Sequence, residues 1–202
     1  MTLDLSQCDD RELASLAVAG QQQAFKELVG RHKGAVFRLI RNNVGDTDEA
    51  LELVQESFVS AFSAINRYDP ARPFRVWISR IALNKCRDWS RRRAVRSFFW
   101  LAKPIEADDI LESDAHHGPS RRGPSGPDRE AESRSELKLV QKAMMDMPTP
   151  LREVLTLRTI EELSQAETAA ILGISEKAVE TRLYRARTRL RAVLGEAEEL
   201  LG

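Results

Sequence analysis

"SQAETAAILGISEKAVETRLYRARTRLR", Ser164–Arg191, is the stretch on which the architecture turns. Ser164 and Glu167 form an S-x-x-E capping box ahead of an apolar run, Gly173 suits a left-handed turn position, and Ser175 can cap the next helix. The spacing predicts a helix, a three-residue turn and a second helix. At about 100° per residue, Val179, Leu183, Ala186 and Leu190 share one side of that second helix. Lys177, Thr181, Tyr184 and Thr188 share the other, flanked by Arg185 and Arg191. A helix-turn-helix lays its second helix in the major groove, where Arg and Lys donate to guanine edges and Thr meets base edges or phosphates. Further arginines there hold phosphate, which positions without specifying. The plainer alternative is a charged terminal helix in a scaffold protein.

The surrounding charge is arranged in blocks that the net charge of zero conceals. Residues 1–70 carry 7 basic and 11 acidic side chains, whereas 72–103 carry 10 basic ones against Asp88 alone. Residues 104–135 return to 4 basic and 8 acidic, and 177–191 hold 6 basic and 1 acidic. Two basic islands in an acidic background point to a polyanionic partner.

Upstream, helical spacing runs almost without interruption to Arg93. Phe25, Leu28, Val29, His32, Val36, Leu39 and Ile40 recur at threes and fours, as one buried face requires, with His32 read as a packing residue. Leu51, Val54, Phe58, Ala61, Phe62 and Ile65 form a second stripe, entered through Asp46 and Thr47 and stopped by Asn66–Pro70. Trp77, Ile78, Ile81, Ala82, Cys86 and Trp89 make a third. Such stripes are buried only against one another, so the expected fold is all-α. It divides into an N-terminal helical bundle over 1–95, a flexible linker over 96–135 rich in Gly-Pro and Ser, and a helix-turn-helix domain over 136–202. Within the last of these, a helix is expected over Leu137–Met147 and another over Leu151–Ile160, with Pro150 beside its first turn.

The first basic island, "PFRVWISRIALNKCRDWSRRR" (Pro73–Arg93), sets Phe74, Trp77, Ile78, Ile81 and Trp89 near one helical side and leaves Arg80, Asn84, Arg87 and Arg91 as a polar ridge. An asparagine amide both donates and accepts, so it can read the edge of an unpaired base while arginines hold the single-stranded backbone. By spacing alone, Asn84 suits a solvated helix face equally well, and Phe74 and Trp77 suit a core as well as a stacking platform.

Three stretches taken together add a resemblance. "ELVQESFVSAF" (52–62), "FRVWISRIALNKCRDWSRR" (74–92) and "LREVLTLRTIEELSQAETAAILGISEKAVETRLYRARTRLR" (151–191) resemble the extracytoplasmic-function (ECF) sigma factors of the sigma-70 class. The resemblance implies a bacterial promoter-recognition subunit that binds core RNA polymerase, reads two promoter elements and helps open promoter DNA. On that likeness Glu52, Gln55 and Glu56 are candidate contacts to the polymerase clamp helices. Phe74, Trp77, Arg80, Asn84, Arg87 and Arg91 fall to the minus-ten element, with Asn84 lining the pocket for a flipped base. Lys177, Glu180, Thr181, Arg182, Tyr184 and Arg185 fall to the minus-thirty-five element. Many relatives have Lys or Arg where this chain has Glu180, and a carboxylate there repels phosphate unless it accepts from a cytosine amino group. The family also implies an anti-sigma factor that clamps both domains. The linker, with His116 and His117, matches no motif; its acidity suits either a mimic of nascent RNA or a passive tether.

Two rival classes remain on the residues alone. One is a helix-turn-helix regulator acting on duplex operators without polymerase, and the other is an adaptor whose charged helices touch only protein. No glycine-rich phosphate loop, nucleophile elbow or metal-ligand cluster occurs, so no enzyme activity, metal or cofactor is expected. Cys8 and Cys86 lack metal-ligand spacing and are expected as free thiols. With no basic-then-apolar leader and no apolar run near ~18 residues, the expectation is a cytoplasmic protein without membrane insertion, held at a membrane only through an anti-sigma factor.

Overall fold

Side-chain caps fix where the helices begin. Asp9 accepts from the Glu12 amide while the Glu12 carboxylate accepts from the Asp9 amide, opening α1 (Asp10–Val18). Asp46 accepts from the Asp48 and Glu49 amides at the head of α3 (Thr47–Ala64). Such caps satisfy amides that no helical carbonyl reaches. Between them α2 (Gln22–Val44) ends at Gly45, whose φ of 85° is left-handed. A side chain at that position would strain the backbone, and its Cβ would meet the Met145 side chain at 3.0 Å. After a 3₁₀ turn at Ile65–Arg67 comes α4 (Phe74–Leu101).

The computed structural model describes residues 4–101 and 137–201, with side chains for 4–96 and 137–195. The second stretch holds α5 (137–145), α6 (Thr149–Leu155), a π-helical turn (Thr156–Ile160), α7 (Gln165–Leu172) and α8 (Glu176–Leu201). Among the described residues every regular element is helical, as the periodicity requires. No helix among them is long and apolar enough to cross a membrane. The Gly-Pro segment with His116 and His117 lies outside the described residues.

Two helices differ from the periodicity. α4 runs to Leu101, past Arg93 where the stripe ends, because Arg91–Arg96 contains good helix formers and neither Gly nor Pro to stop them. The helix expected over Leu151–Ile160 starts two residues earlier, at Thr149 behind an N-cap Pro148, and its last turn widens into the π-helical Thr156–Ile160. Glu162, with φ of 52°, then turns the chain into α7.

The N-terminal helices bury Leu13, Leu28, Leu39, Ile40, Leu53, Ile78 and Leu83. The C-terminal helices bury Met144, Met147, Leu155 and Ala186 in one cluster, and Val154, Ala169 and Val179 in another. Leu157, Leu163 and Ile171, however, belong to the N-terminal core, with Leu172 packed against it. The π turn packs on α2, and α7 packs on α4. Each Leu or Ile so withdrawn from water contributes about 1.5–3 kcal/mol as an upper figure. The two halves thus share a core.

Both cysteines are free, Cys8 half-buried and Cys86 buried. Burial, reinforced by nearby Glu153, pushes the Cys86 thiol up to about 12. The thiolate is therefore scarce near neutral pH, and the sulfur is walled off as well. Iodoacetamide should therefore alkylate Cys8 in the native chain and reach Cys86 only after denaturation. Mass spectrometry that finds equal native rates at the two would mean Cys86 is not in the core.

Candidate nucleic-acid interface

The helix-turn-helix is built as its sequence reads. The Glu167 amide donates to Ser164 Oγ at 3.1 Å, and the Ser164 amide donates to the Glu167 carboxylate at 2.8 Å. Gly173 has φ of 67°, and Ser175 Oγ accepts from the Ala178 amide at 3.2 Å. Gln165 Nε2 donates to the Glu176 carbonyl at 2.9 Å, tying α7 to the start of α8. Val179 and Ala186 are buried beneath the helix. Lys177, Glu180, Thr181 and Arg185 face solvent, Tyr184 is 70% exposed and Arg182 is half-buried. Lys177, Thr181, Arg182 and Arg185 border a shallow groove over the first turns of α8. This surface offers cationic donors on one face of a helix of a size that suits the major groove, with the Thr181 hydroxyl donating to the Lys177 carbonyl at 2.9 Å.

On α4 the ridge is uneven. Arg80 and Asn84 are exposed. Arg91 pairs with Asp88. Arg87 donates through Nε and Nη2 to the two Glu153 carboxylate oxygens at 2.7 and 2.8 Å, and through Nη1 to Asn84 Oδ1 at 3.3 Å. Glu153, only 4% exposed, holds the Arg87 guanidinium firmly in its charged form. Phe74 is 1% exposed, with its ring centroid 5.6 Å from Tyr68, 5.5 Å from Trp77 and 5.1 Å from His32. It lies inside the core, while Trp77 is half-buried at its edge. Tyr68 in turn donates its hydroxyl to the Arg72 carbonyl at 2.6 Å, fixing the loop ahead of α4. Phe74 therefore shapes the ridge from below and presents no ring to solvent. His32 is a satisfied packing residue, with Nε2 2.6 Å from an Asp10 carboxylate oxygen.

On α3, Glu52 and Gln55 are exposed, and Glu56 pairs with Lys85 at 3.4 Å. Leu51, Val59 and Phe62 stand beside them at 55%, 60% and 46% exposure. Leu51 and Phe62 belong by spacing to the edge of the buried stripe. The packed face is centred on Leu53, Ser57, Phe58 and Ala61, which leaves Leu51 rotated outward and Phe62 at the margin, one edge against the Phe25 ring at 5.0 Å and the rest exposed. The signal for this surface was Val59, an apolar residue outside the stripe. An apolar strip rimmed by carboxylates is the composition of a protein-binding surface. Trp89 borders it on the α4 side, donating Nε1 to Glu49 at 2.7 Å beneath the Arg93 guanidinium, 5.2 Å from its ring. Among the described residues no group of three or more His, Cys, Asp or Glu side chains is placed to hold a metal.

Known proteins resemble the chain in both halves. The family model of sigma-70 region 2 matches residues 28–96, and that of sigma-70 region 4 matches residues 137–190. The chain is 40% identical over 191 residues to RNA polymerase sigma factor CnrH of Cupriavidus metallidurans, covering 94% of this chain and 96% of that one. It is 29% identical over 185 residues to the ECF RNA polymerase sigma factor SigW of Bacillus subtilis, covering 87% and 91%. The solved structure of CnrH in complex with the cytosolic domain of CnrY superposes with a TM-score of 0.68 at 36% identity, covering 93% of this chain and 97% of that one. The match to region 2 takes in α3 and most of α4, and the match to region 4 takes in the helix-turn-helix.

Proposed function

Since the chain belongs to the sigma-70 family, in its extracytoplasmic-function branch, we propose how its surfaces divide the work of a bacterial RNA polymerase sigma factor. Such a factor binds core polymerase, recognises the minus-thirty-five and minus-ten promoter elements and promotes melting and initiation. Residues 1–95 carry polymerase binding and the minus-ten element, and 136–202 carry the minus-thirty-five element. Glu52, Gln55 and Glu56, with the exposed Leu51, Val59 and Phe62, meet the polymerase. Lys177, Thr181, Arg182, Tyr184 and Arg185 read the upstream element in duplex form, with Glu180 accepting from a base amino group at its margin. Trp77, Arg80, Asn84, Arg87 and Arg91 take the minus-ten strand, and Phe74 supports them from the core.

Opening then proceeds by capture. Polymerase and upstream duplex hold the complex in register, and a base that leaves the stack is retained by Asn84 and its arginine neighbours. Unpairing and unstacking cost a few kcal/mol per base, which the new contacts offset. The protein makes and breaks no covalent bond in this scheme and is not itself an enzyme. The polymerase and its DNA place the work in the cytoplasm. CnrH is solved with the cytosolic domain of CnrY, and a comparable anti-sigma partner is proposed for this chain.

The observation that carries the proposal is the joint presence of a solvent-facing basic helix, α8, and an amide-bearing basic ridge on α4. Purified chain added to core polymerase should direct initiation from specific sites when transcribing its own genome in vitro. Operator-type duplex binding without any specific initiation would sink the sigma reading and favour a free-standing regulator.

A further inference from the structure

The loop that enters α4, residues 68–73, is exposed from Asp69 to Pro73, yet its backbone groups are largely occupied. The Ala71 amide donates to Asp69 Oδ1 at 3.0 Å, and the Arg72 amide donates to the Asp69 carbonyl at 3.0 Å. The Arg72 carbonyl accepts from the Tyr68 hydroxyl at 2.6 Å, and the Pro73 carbonyl accepts from the Val76 amide at 3.0 Å. Pro70 and Pro73 have no amide to satisfy. The Pro70 carbonyl is reached from outside the loop: Arg11 Nε, on α1, donates to it at 2.8 Å across 59 residues of sequence. Beside Arg11, an Asp10 carboxylate oxygen lies 2.6 Å from His32 Nε2, and the His32 ring packs on Phe74, the first residue of α4. Two adjacent residues of α1 thus grip the loop and the root of the helix behind it. Arg31 of α2 ties α1 down in turn, donating to the Leu5, Ser6 and Cys8 carbonyls and pairing with Asp10.

An exposed loop ordinarily leaves such groups to water and moves. This one is held beside the ridge. Trp77 and Arg80 stand in the first two turns of α4, and Asn84 is about 15 Å along the axis from Phe74. A strand that continues past Arg80 along the ridge meets Asp69–Pro73. We propose that Arg11 is a positioning residue for strand capture: without touching DNA, it fixes the loop that borders the amino end of the α4 ridge. The proposal rests on the sigma reading of that ridge. Fixing the loop beforehand removes an ordering cost that capture would otherwise carry. A wrong base then meets a surface that does not adapt to it, so the same bond sharpens base preference. Arg11 is itself exposed, where a single hydrogen bond contributes little to overall stability, and its effect falls on function.

The test compares the full chain with two variants. Arg11→Met keeps an apolar stem and removes the donor, whereas Arg11→Gln places an amide nitrogen as many bonds from the backbone as Nε but carries no charge. Amide hydrogen exchange read by NMR at Ala71 and Arg72 should quicken about fivefold in Arg11→Met and return to the native rate in Arg11→Gln. With core polymerase on a promoter the chain transcribes, permanganate reactivity of the bound complex should fall about fivefold in Arg11→Met. Preference for the native bases over single substitutions in the minus-ten element should relax as well, and Arg11→Gln should restore both. Closed-complex binding and its salt dependence should stay as they are, because no phosphate contact is lost. Unchanged exchange in Arg11→Met would show that the loop needs no brace. Faster exchange with normal opening and preference, or a melting temperature lowered in both variants, would make Arg11 purely structural. Failure of Arg11→Gln to rescue, or a salt slope lowered by about one, would make it a charge that acts on phosphate. Each of these overturns the proposal. A native chain that directs no initiation refutes the sigma assignment and the loop's role in capture, while the exchange measurement still decides whether Arg11 holds the loop.

Discussion

Phe74→Ala is expected to cost about 3–5 kcal/mol of stability, the usual range for deleting a buried aromatic side chain. The ring is 1% exposed and sits among Tyr68, Trp77 and His32, so the vacated volume has no solvent to fill it. Denaturant titration by circular dichroism measures the loss. Because Leu157, Leu163 and Ile171 join the N-terminal core, the transition should remain single rather than split into two halves. Phe74→Leu keeps most of the volume and should cost about 1.5 kcal/mol or less. That variant separates packing from DNA contact: a folded Phe74→Leu protein should open promoters nearly normally. If it folds as well as the parent yet fails to open DNA, the ring acts on the strand and its burial is only a resting position.

Asn84→Ala and Arg185→Ala should fail at different stages. Asn84 is exposed and its side chain is bound to Arg87 at 3.3 Å, so its truncation should change stability by about 0.5 kcal/mol or less. Its expected effect is on the open complex, reduced about tenfold or more as one base-edge contact is lost, with closed-complex binding little changed. Arg185, exposed on the outward face of α8, should show the reverse: upstream-element binding lowered about five- to tenfold and opening normal once bound. Gel shift at low temperature measures the first stage and permanganate footprinting the second. Equal losses at both stages in the Asn84 variant would remove its role in capture.

What could be read in advance was whatever is encoded locally. The box at Ser164 and Glu167, the left-handed Gly173 and the Ser175 cap each involve partners within four residues, so sequence spacing is enough to find them. The same holds for Asp46 at α3. Non-local choices were hidden. Leu51 and Phe62 fit a buried stripe until the positions of α2 and α4 decide which side of α3 is covered. Phe74 satisfies the spacing of both a core and a stacking platform, and only the closeness of Tyr68 and His32 selects the core. Leu157, Leu163 and Ile171 suit the inside of a small helix-turn-helix domain as well as they suit the neighbouring bundle. The pairing of Arg87 with Glu153 spans 66 residues and leaves no periodic trace in either helix. The surfaces were thus legible as compositions, and their occupancy was not.

Glu167 serves two structures with one carboxylate: it accepts from the Ser164 amide inside the capping box and it grips Arg75 across the halves. Burial pushes this carboxyl up, but the Ser164 hydrogen bonds and Arg75 outweigh it and hold it below its ordinary value. When Arg75 lets go, the carboxylate still has a home, and α7 keeps its first turn. Removing Arg75 therefore weakens the contact between the halves without uncapping α7, so at this one carboxylate the two roles can be separated by substitution.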